Sequence, residues 1–168
     1  MNTGKWFDRE FDLSFGAERY KAIYDQLAGA PDRLRQAAGL LREDVLVAKP
    51  DGKWSIKEQA GHLFIMEPLW RTRFLDILEQ KPTLTVADLN NTATSEAGFN
   101  ATPIDELLAR FVAERRQTID LLDRIDALDM QRTSLHPRLK QPMRVIDLAY
   151  FVAEHDEHHI AIVRTMIK

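Results

Sequence analysis

Residues Leu148–Met166 read LAYFVAEHDEHHIAIVRTM, and the reading of this stretch decides the fold. Leu148, Phe151, Val152, Ile162, Val163 and Met166 recur at helical spacing and form one apolar stripe of an α-helix. His155 and His159 stand inside that stripe, four residues apart and one turn above the other. They interrupt a seam that otherwise faces a core. An unpaired polar group in such a seam costs about 1–3 kcal/mol, so both imidazoles need partners. Their spacing suits a two-pronged clamp on a single metal ion.

Composition bounds what surrounds this helix. A chain of 168 residues, 45% hydrophobic and 29% charged, fits a single globular domain spanning 1–168 and is too apolar for a disordered one. The net charge of −3, with no basic run, gives no electrostatic case for binding nucleic acid. No cationic start leads into an apolar run, and no apolar run approaches about 18 residues. The expected localisation is therefore cytoplasmic, with no membrane partner. Cysteine is absent, which removes disulfides, thiolate ligands and a cysteine nucleophile together. Any metal must be held by histidine or carboxylate, and any thiol chemistry must use a thiol brought by a substrate.

Outward from the histidine helix, three more helical patterns appear. Residues 1–15 carry Trp6, Phe7, Phe11, Leu13 and Phe15 among charges, an aromatic arm expected to pack on the body or on a dimer partner. Tyr20, Ile23, Tyr24, Leu27, Leu34, Ala38 and Leu41 mark a helix over about 16–41, kinked or broken at Gly29-Ala30-Pro31. Lys49-Pro50-Asp51-Gly52 is a turn signal. It leads into a capping box, with Ser55 at the N-cap, Glu58 at N3 and Trp54 placed to staple back onto the helix. That helix is expected to run to about Gln80, bent at Pro68, with His62 two turns in and Gln59, Leu63, Met66 and Leu69 around it.

Residues 81–101 form a long polar segment that either crosses the bundle or covers a site. Thr102 as N-cap and Pro103 at N1 predict a third helix to about Leu128. Pro142 suits N1 of the last helix. Four long helices and no convincing strand predict an all-α four-helix bundle, whose sites are built from side chains on facing helices.

His62 and the His155/His159 pair can meet across such a bundle. Three neutral nitrogens would then hold one divalent ion, leaving positions open to water or substrate, as catalytic rather than structural sites do. Zinc is the default occupant; nickel, iron and manganese also suit imidazole. Glu58, Glu67 and Asp156 are candidates for orienting the ligands or for acid–base work, set against ordinary capping or solvated roles. His158 reads as a solvated third member of the cluster, and His136, beside Pro137, as a loop residue without a chemical part.

These residues resemble a known family. Lys53-Trp54-Ser55-Ile56-Lys57-Glu58-Gln59-Ala60-Gly61-His62-Leu63, then Glu67-Pro68-Leu69-Trp70 and His155-Asp156-Glu157-His158-His159, look like the DinB/YfiT-like superfamily of metalloenzymes. Phe11-Asp12-Leu13-Ser14-Phe15 is similar to the start of some members, so the resemblance covers nearly the whole chain. It implies a four-helix bundle of up-down-down-up topology, a homodimer, and a divalent metal on His62, His155 and His159. Many members follow the last histidine with Arg-Gly-Gln; here Ile160-Ala161-Ile162 stands instead, which removes any substrate contact made by that arginine. Known activities in the superfamily use small thiols such as bacillithiol, mycothiol or glutathione. The expected function is a metal-dependent enzyme that activates a small thiol against an electrophile, or water in a hydrolase, with Glu67 and Asp156 as candidate catalytic groups. The alternative is a non-catalytic, stress-related metal-binding bundle.

Overall fold

Two of the four helical rods are broken, and each break carries a proline. A computed structural model describes residues 5–167; the first four residues of the aromatic arm, and Lys168, lie outside the described residues. The first rod is α1 (Tyr20–Ala28) followed by α2 (Ala30–Ala38), separated at Gly29 with Pro31 in the first turn of α2. Pro31 has no N–H to give the Leu27 carbonyl four residues back. The guanidinium of Arg115 donates there instead, at 2.7 Å.

A short helix α3 (Glu43–Leu46) and a turn lead to the second rod, α4 (Ile56–Ile65) and α5 (Glu67–Leu78). The sequence predicts one bent helix here; the rod is instead divided at Met66, two residues before Pro68. Its start is as expected: Ser55 Oγ accepts from the Glu58 N–H at 3.1 Å, and Glu58 accepts from the Ser55 N–H at 2.8 Å.

The segment after α5 holds a short helix, α6 (Thr92–Glu96), and then a turn over Phe99–Ala101. Thr102 closes that turn onto the Phe99 carbonyl, which keeps the chain extended through Pro103. The N-cap of α7 (Ile104–Leu122) is therefore Pro103, one residue later than predicted, with no side-chain cap. This helix also ends at Leu122 rather than near Leu128, because three-residue turns unwind it and leave Leu128 83% exposed.

Strands, unexpected from the sequence, follow as a small hairpin: β1 (Thr133–Leu135) antiparallel to β2 (Pro142–Arg144). Pro142 faces Leu135 in this pair instead of opening the last helix. That helix, α8 (Val145–Met166), starts at an N-cap of Arg144, whose N–H bonds Asp147 at 2.8 Å.

The core falls into two apolar clusters. Ile23, Leu27, Phe74 and Val152 belong to one, Leu34, Leu63, Phe111 and Ile160 to the other. Each such side chain contributes about 1.5–3 kcal/mol by leaving water. Along three of the four rods the change from one cluster to the other falls where polar residues are buried: at His62 and Glu67 beside the second break, at Arg115 and Thr118 of α7, and at His155, Asp156 and His159 of α8; in the first rod it falls at the break itself, between Leu27 and Ala30. The aromatic arm packs across α8: the Trp6 ring lies 5.2 Å from Phe151 and from His155, and Arg9 pairs with Glu154. Among the described residues, no helix is long and apolar enough to cross a membrane.

Candidate metal centre

The capping box fixes where α4 begins, and its second turn then carries Gln59 and His62 inward against α8. His62, His155 and His159 converge there, each under 8% exposed, with one nitrogen from each lying within 4.8 Å of the others. His62 Nε2 and His155 Nε2 are 3.3 Å apart. The outer nitrogens have their own partners: His62 Nδ1 lies 2.9 Å from Thr94 Oγ1, and His159 Nδ1 lies 2.6 Å from Gln59 Oε1. The Gln59 oxygen only accepts, so His159 carries its proton on Nδ1 and turns a bare Nε2 toward the cluster.

Burial pushes all three pKa values down: His62 to about 4, and His155, which also feels His62, and His159, which also feels His155 and His62, well below the usual histidine range. Near neutral pH they are uncharged rings. Neutral imidazole is the ligand form, and the bare Nε2 of His159 is turned toward the other two rings. The donor set therefore fits a divalent ion, and His155 Nδ1, buried without a partner among the described residues, is the one outer position left unfilled.

The cluster forms one wall of a cavity of about 340 Å3. Its other walls are largely aromatic: the Trp54 ring is 4.8 Å from His62, and Trp70 is 5.2 Å from His155. Trp54 thus packs on the imidazoles. The polar segment 81–101 covers this site, with Val86, Ala87 and Leu89 on the wall. It is seated by Phe99, whose ring occupies the space a Cβ on Gly61 would need, 2.3 Å from that position.

The carboxylates singled out from the sequence lie elsewhere. Glu67 and Asp156 both clasp Arg115, at 2.5 and 2.6 Å, and Thr118 donates to Glu67 at 2.5 Å. Neither acid lines the cavity. Burial alone would lower the Arg115 pKa, but Asp156 and Glu67 raise it above the ordinary arginine value. Glu58 serves the cap and pairs with Lys49 at 2.8 Å. His158 is half-buried against Trp6, 5.6 Å away, so it is neither a ligand of the cluster nor fully solvated.

His136 departs furthest from expectation. It is 2% exposed and lines the cavity together with Arg73 and Arg138. Sequence reasoning missed these three, and also Thr94. His136 and Arg138 lie in the hairpin connection, where no periodicity marks a face, and Arg73 reads as one more charge on an amphipathic helix. Gln59 was legible as a neighbour of His62 three residues away.

The chain was compared with known proteins. The profile of the DinB superfamily matches residues 26–163. A protein of Geobacillus thermodenitrificans (strain NG80-2), named "Putative metal-dependent hydrolase", is 27% identical over 157 residues, covering 92% of this chain and 87% of the relative. Among solved structures, YfiT from Bacillus subtilis, described as "a probable metal-dependent hydrolase with an unusual four-helix bundle topology", superposes with a TM-score of 0.78 at 22% identity, over 94% of this chain and 91% of that one. The likeness to YfiT establishes the four-helix-bundle fold.

Proposed function

The chain belongs to the DinB superfamily, and from that membership we propose that it is a metal-dependent enzyme in which His62, His155 and His159 hold a divalent ion, zinc or nickel, at the wall of the aromatic cavity. The observation that carries this reading is the convergence of three neutral imidazoles from two helices on one point, with a cavity beside it. When bound, such an ion lowers the pKa of a thiol or water that it coordinates, and so supplies a nucleophile near neutral pH.

The protein's own residues do the rest. Thr94 and Gln59 fix the ring orientations of His62 and His159, which would leave their Nε2 atoms free to hold the ion. Trp6, Trp54 and Trp70 displace bulk water from the cavity and give an apolar electrophile a surface to lie on. Glu67 and Asp156 enter as positioning residues, which through Arg115 fix α8 against α5 and α7.

Thiol transfer is the reaction preferred here. Asp88, the carboxylate on the cavity wall, already accepts from the N–H groups of Asn90 and Thr92, at 2.9 and 2.8 Å. A thiol needs little help from a base, since its pKa of about 8.5 is far below that of water. Hydrolysis is the second reading, favoured by the names of the two relatives.

The test measures metal content of wild type, His62→Ala and His155→Ala, then assays each with bacillithiol, mycothiol or glutathione plus an alkyl halide, and with ester and amide substrates. Close to one ion per chain, lost in both variants together with thiol-dependent turnover, is the expected result. Turnover of esters or amides without thiol selects hydrolysis. Equal metal in all three proteins overturns the reading. Metal without turnover, and without any thiol effect on the visible spectrum of a cobalt-substituted sample, selects the non-catalytic bundle.

A further inference from the structure

At the end of the cavity away from the three histidines, hydrogen-bond donors face one another without an acceptor. His136 Nδ1 accepts from the N–H groups of Arg138 and Leu139, each at 3.2 Å, so the neutral ring carries its proton on Nε2. That Nε2–H lies 3.3 Å from Nη1 of Arg73, which also only donates. Neither can accept from the other. Arg73 is 3% exposed and spends Nε on the Thr85 carbonyl at 2.8 Å. Arg138 gives Nη1 to the Phe7 carbonyl at 3.0 Å, while its Nη2 is buried without a partner among the described residues.

The acids nearby are already committed. Asp76 is held by Lys81 at 2.8 Å and the Thr85 N–H at 2.7 Å, and Asp88 by two backbone N–H groups. Among the described residues neither guanidinium has a carboxylate within 4.0 Å. A buried guanidinium, Arg73, whose one nearby carboxylate, Asp76, is bonded to other groups, beside a half-buried one, Arg138, leaves donors that an anion would complete. Burial lowers the pKa of Arg73 to about 10 and, with the two guanidiniums, that of His136 to about 3. At neutral pH the corner therefore presents two cations and one neutral N–H donor. It lies one indole away from the imidazoles, since the Arg73 guanidinium sits 5.4 Å from the Trp70 ring that packs on His155.

We propose that Arg73, Arg138 and the Nε2–H of His136 form an anion subsite that grips a carboxylate or phosphate on one end of the substrate while its apolar part lies along Trp70. The assignment rests on the metal-centre reading only for where the other, reacting end goes. Its substrate class is then a small organic acid or phosphate ester with an apolar body.

Tryptophan fluorescence tests this with 3-phenylpropionate, 2-phenylethyl phosphate and the neutral 3-phenylpropionamide, titrated at about pH 8, where histidine is uncharged, into protein as purified and again after chelation. At least one of the anions should bind about tenfold or more tighter than the amide in both preparations, and which one it is identifies the anionic group. That preference should collapse to within about twofold in Arg73→Gln and Arg138→Gln, and persist in Arg73→Lys and in His155→Ala. Arg138 is half-buried on the hairpin connection, so its variant decides the matter if Arg73→Gln does not fold. Equal binding of acid, phosphate and amide, or a preference that survives both glutamine variants, overturns the subsite, as does a preference abolished by chelation or by His155→Ala. A protein that binds no metal yet still discriminates would sink the metal reading and leave this one standing.

Discussion

Around Arg115, buried charge is almost completely matched: three nitrogens of one guanidinium reach Glu67, Asp156 and the Leu27 carbonyl, Thr118 donates to the second Glu67 oxygen, and Asp156 Oδ1 alone has no partner among the described residues. The imidazole cluster draws His155, next to Asp156, and His159 from the same helix α8, and His62 from α4, yet its inner nitrogens face each other and a cavity. Both are buried polar groups at the level where the apolar core is interrupted. The difference is satisfaction. A closed network fixes helices against one another, whereas an open one has room for something the chain does not supply.

The largest effect that separates the two should come from Arg115→Met. It leaves two buried carboxylates facing each other and is expected to cost about 3–5 kcal/mol in denaturant unfolding, whereas a combined apolar replacement of Arg115, Glu67 and Asp156 should recover most of that. If the single variant costs under about 1 kcal/mol, the network is not what locks the rods.

Gly61→Ala comes next. The added methyl collides with the Phe99 ring, so a loss of about 1–3 kcal/mol is expected. Because Phe99 seats the segment carrying Thr94, metal affinity should weaken with it. An unchanged melting curve would mean that this cover is loosely held.

Gln59→Ala leaves the buried Nδ1–H of His159 unpaired, so it should cost the metal-free protein about 1–3 kcal/mol and weaken metal binding about 10–100-fold in a chelator competition. Loss of folding without loss of affinity would reverse the contrast between the two clusters.

The smallest effect per unit of pH is on the acid stability of the chelated protein. The folded-state pKa of His136 is depressed to about 3, by burial first and the guanidiniums second, below an unfolded value of about 6.5. The unfolded chain therefore takes up a proton that the folded one refuses. Its contribution is present above about pH 6.5 and is lost as pH falls toward 3, by at most about 1.4 kcal/mol per pH unit. His136→Gln should flatten that slope by up to one proton; identical slopes would mean that the ring is not held neutral.

The three clustered histidines were legible because helical periodicity and a capping box are local signals: His155 and His159 share a stripe, and Ser55 with Glu58 fixes the phase of His62. The bundle followed from four apolar faces needing one another. Element ends were less legible. Pro142 reads as a helix start until its pairing with Leu135 is known, and Leu128 extends a periodicity that the folded helix abandons six residues earlier. The cationic corner could not be read locally, since Arg73 and Arg138 acquire meaning only when a hairpin connection folds back over α5. Glu67 and Asp156 drew attention through their closeness in sequence to the motifs, but Arg115, far from both in sequence, sets their partners.

The arm that carries Trp6 has a consequence for the order in which the molecule is assembled. Its ring rests on His155 and His158, and Arg9 pairs with Glu154, 145 residues later in the chain. During synthesis this segment emerges before the helix it needs, and a contact of such long range gains nothing until the intervening loop is closed. The cavity wall is thus among the last parts of this bundle to form, and the cavity is enclosed only once α8 has been made.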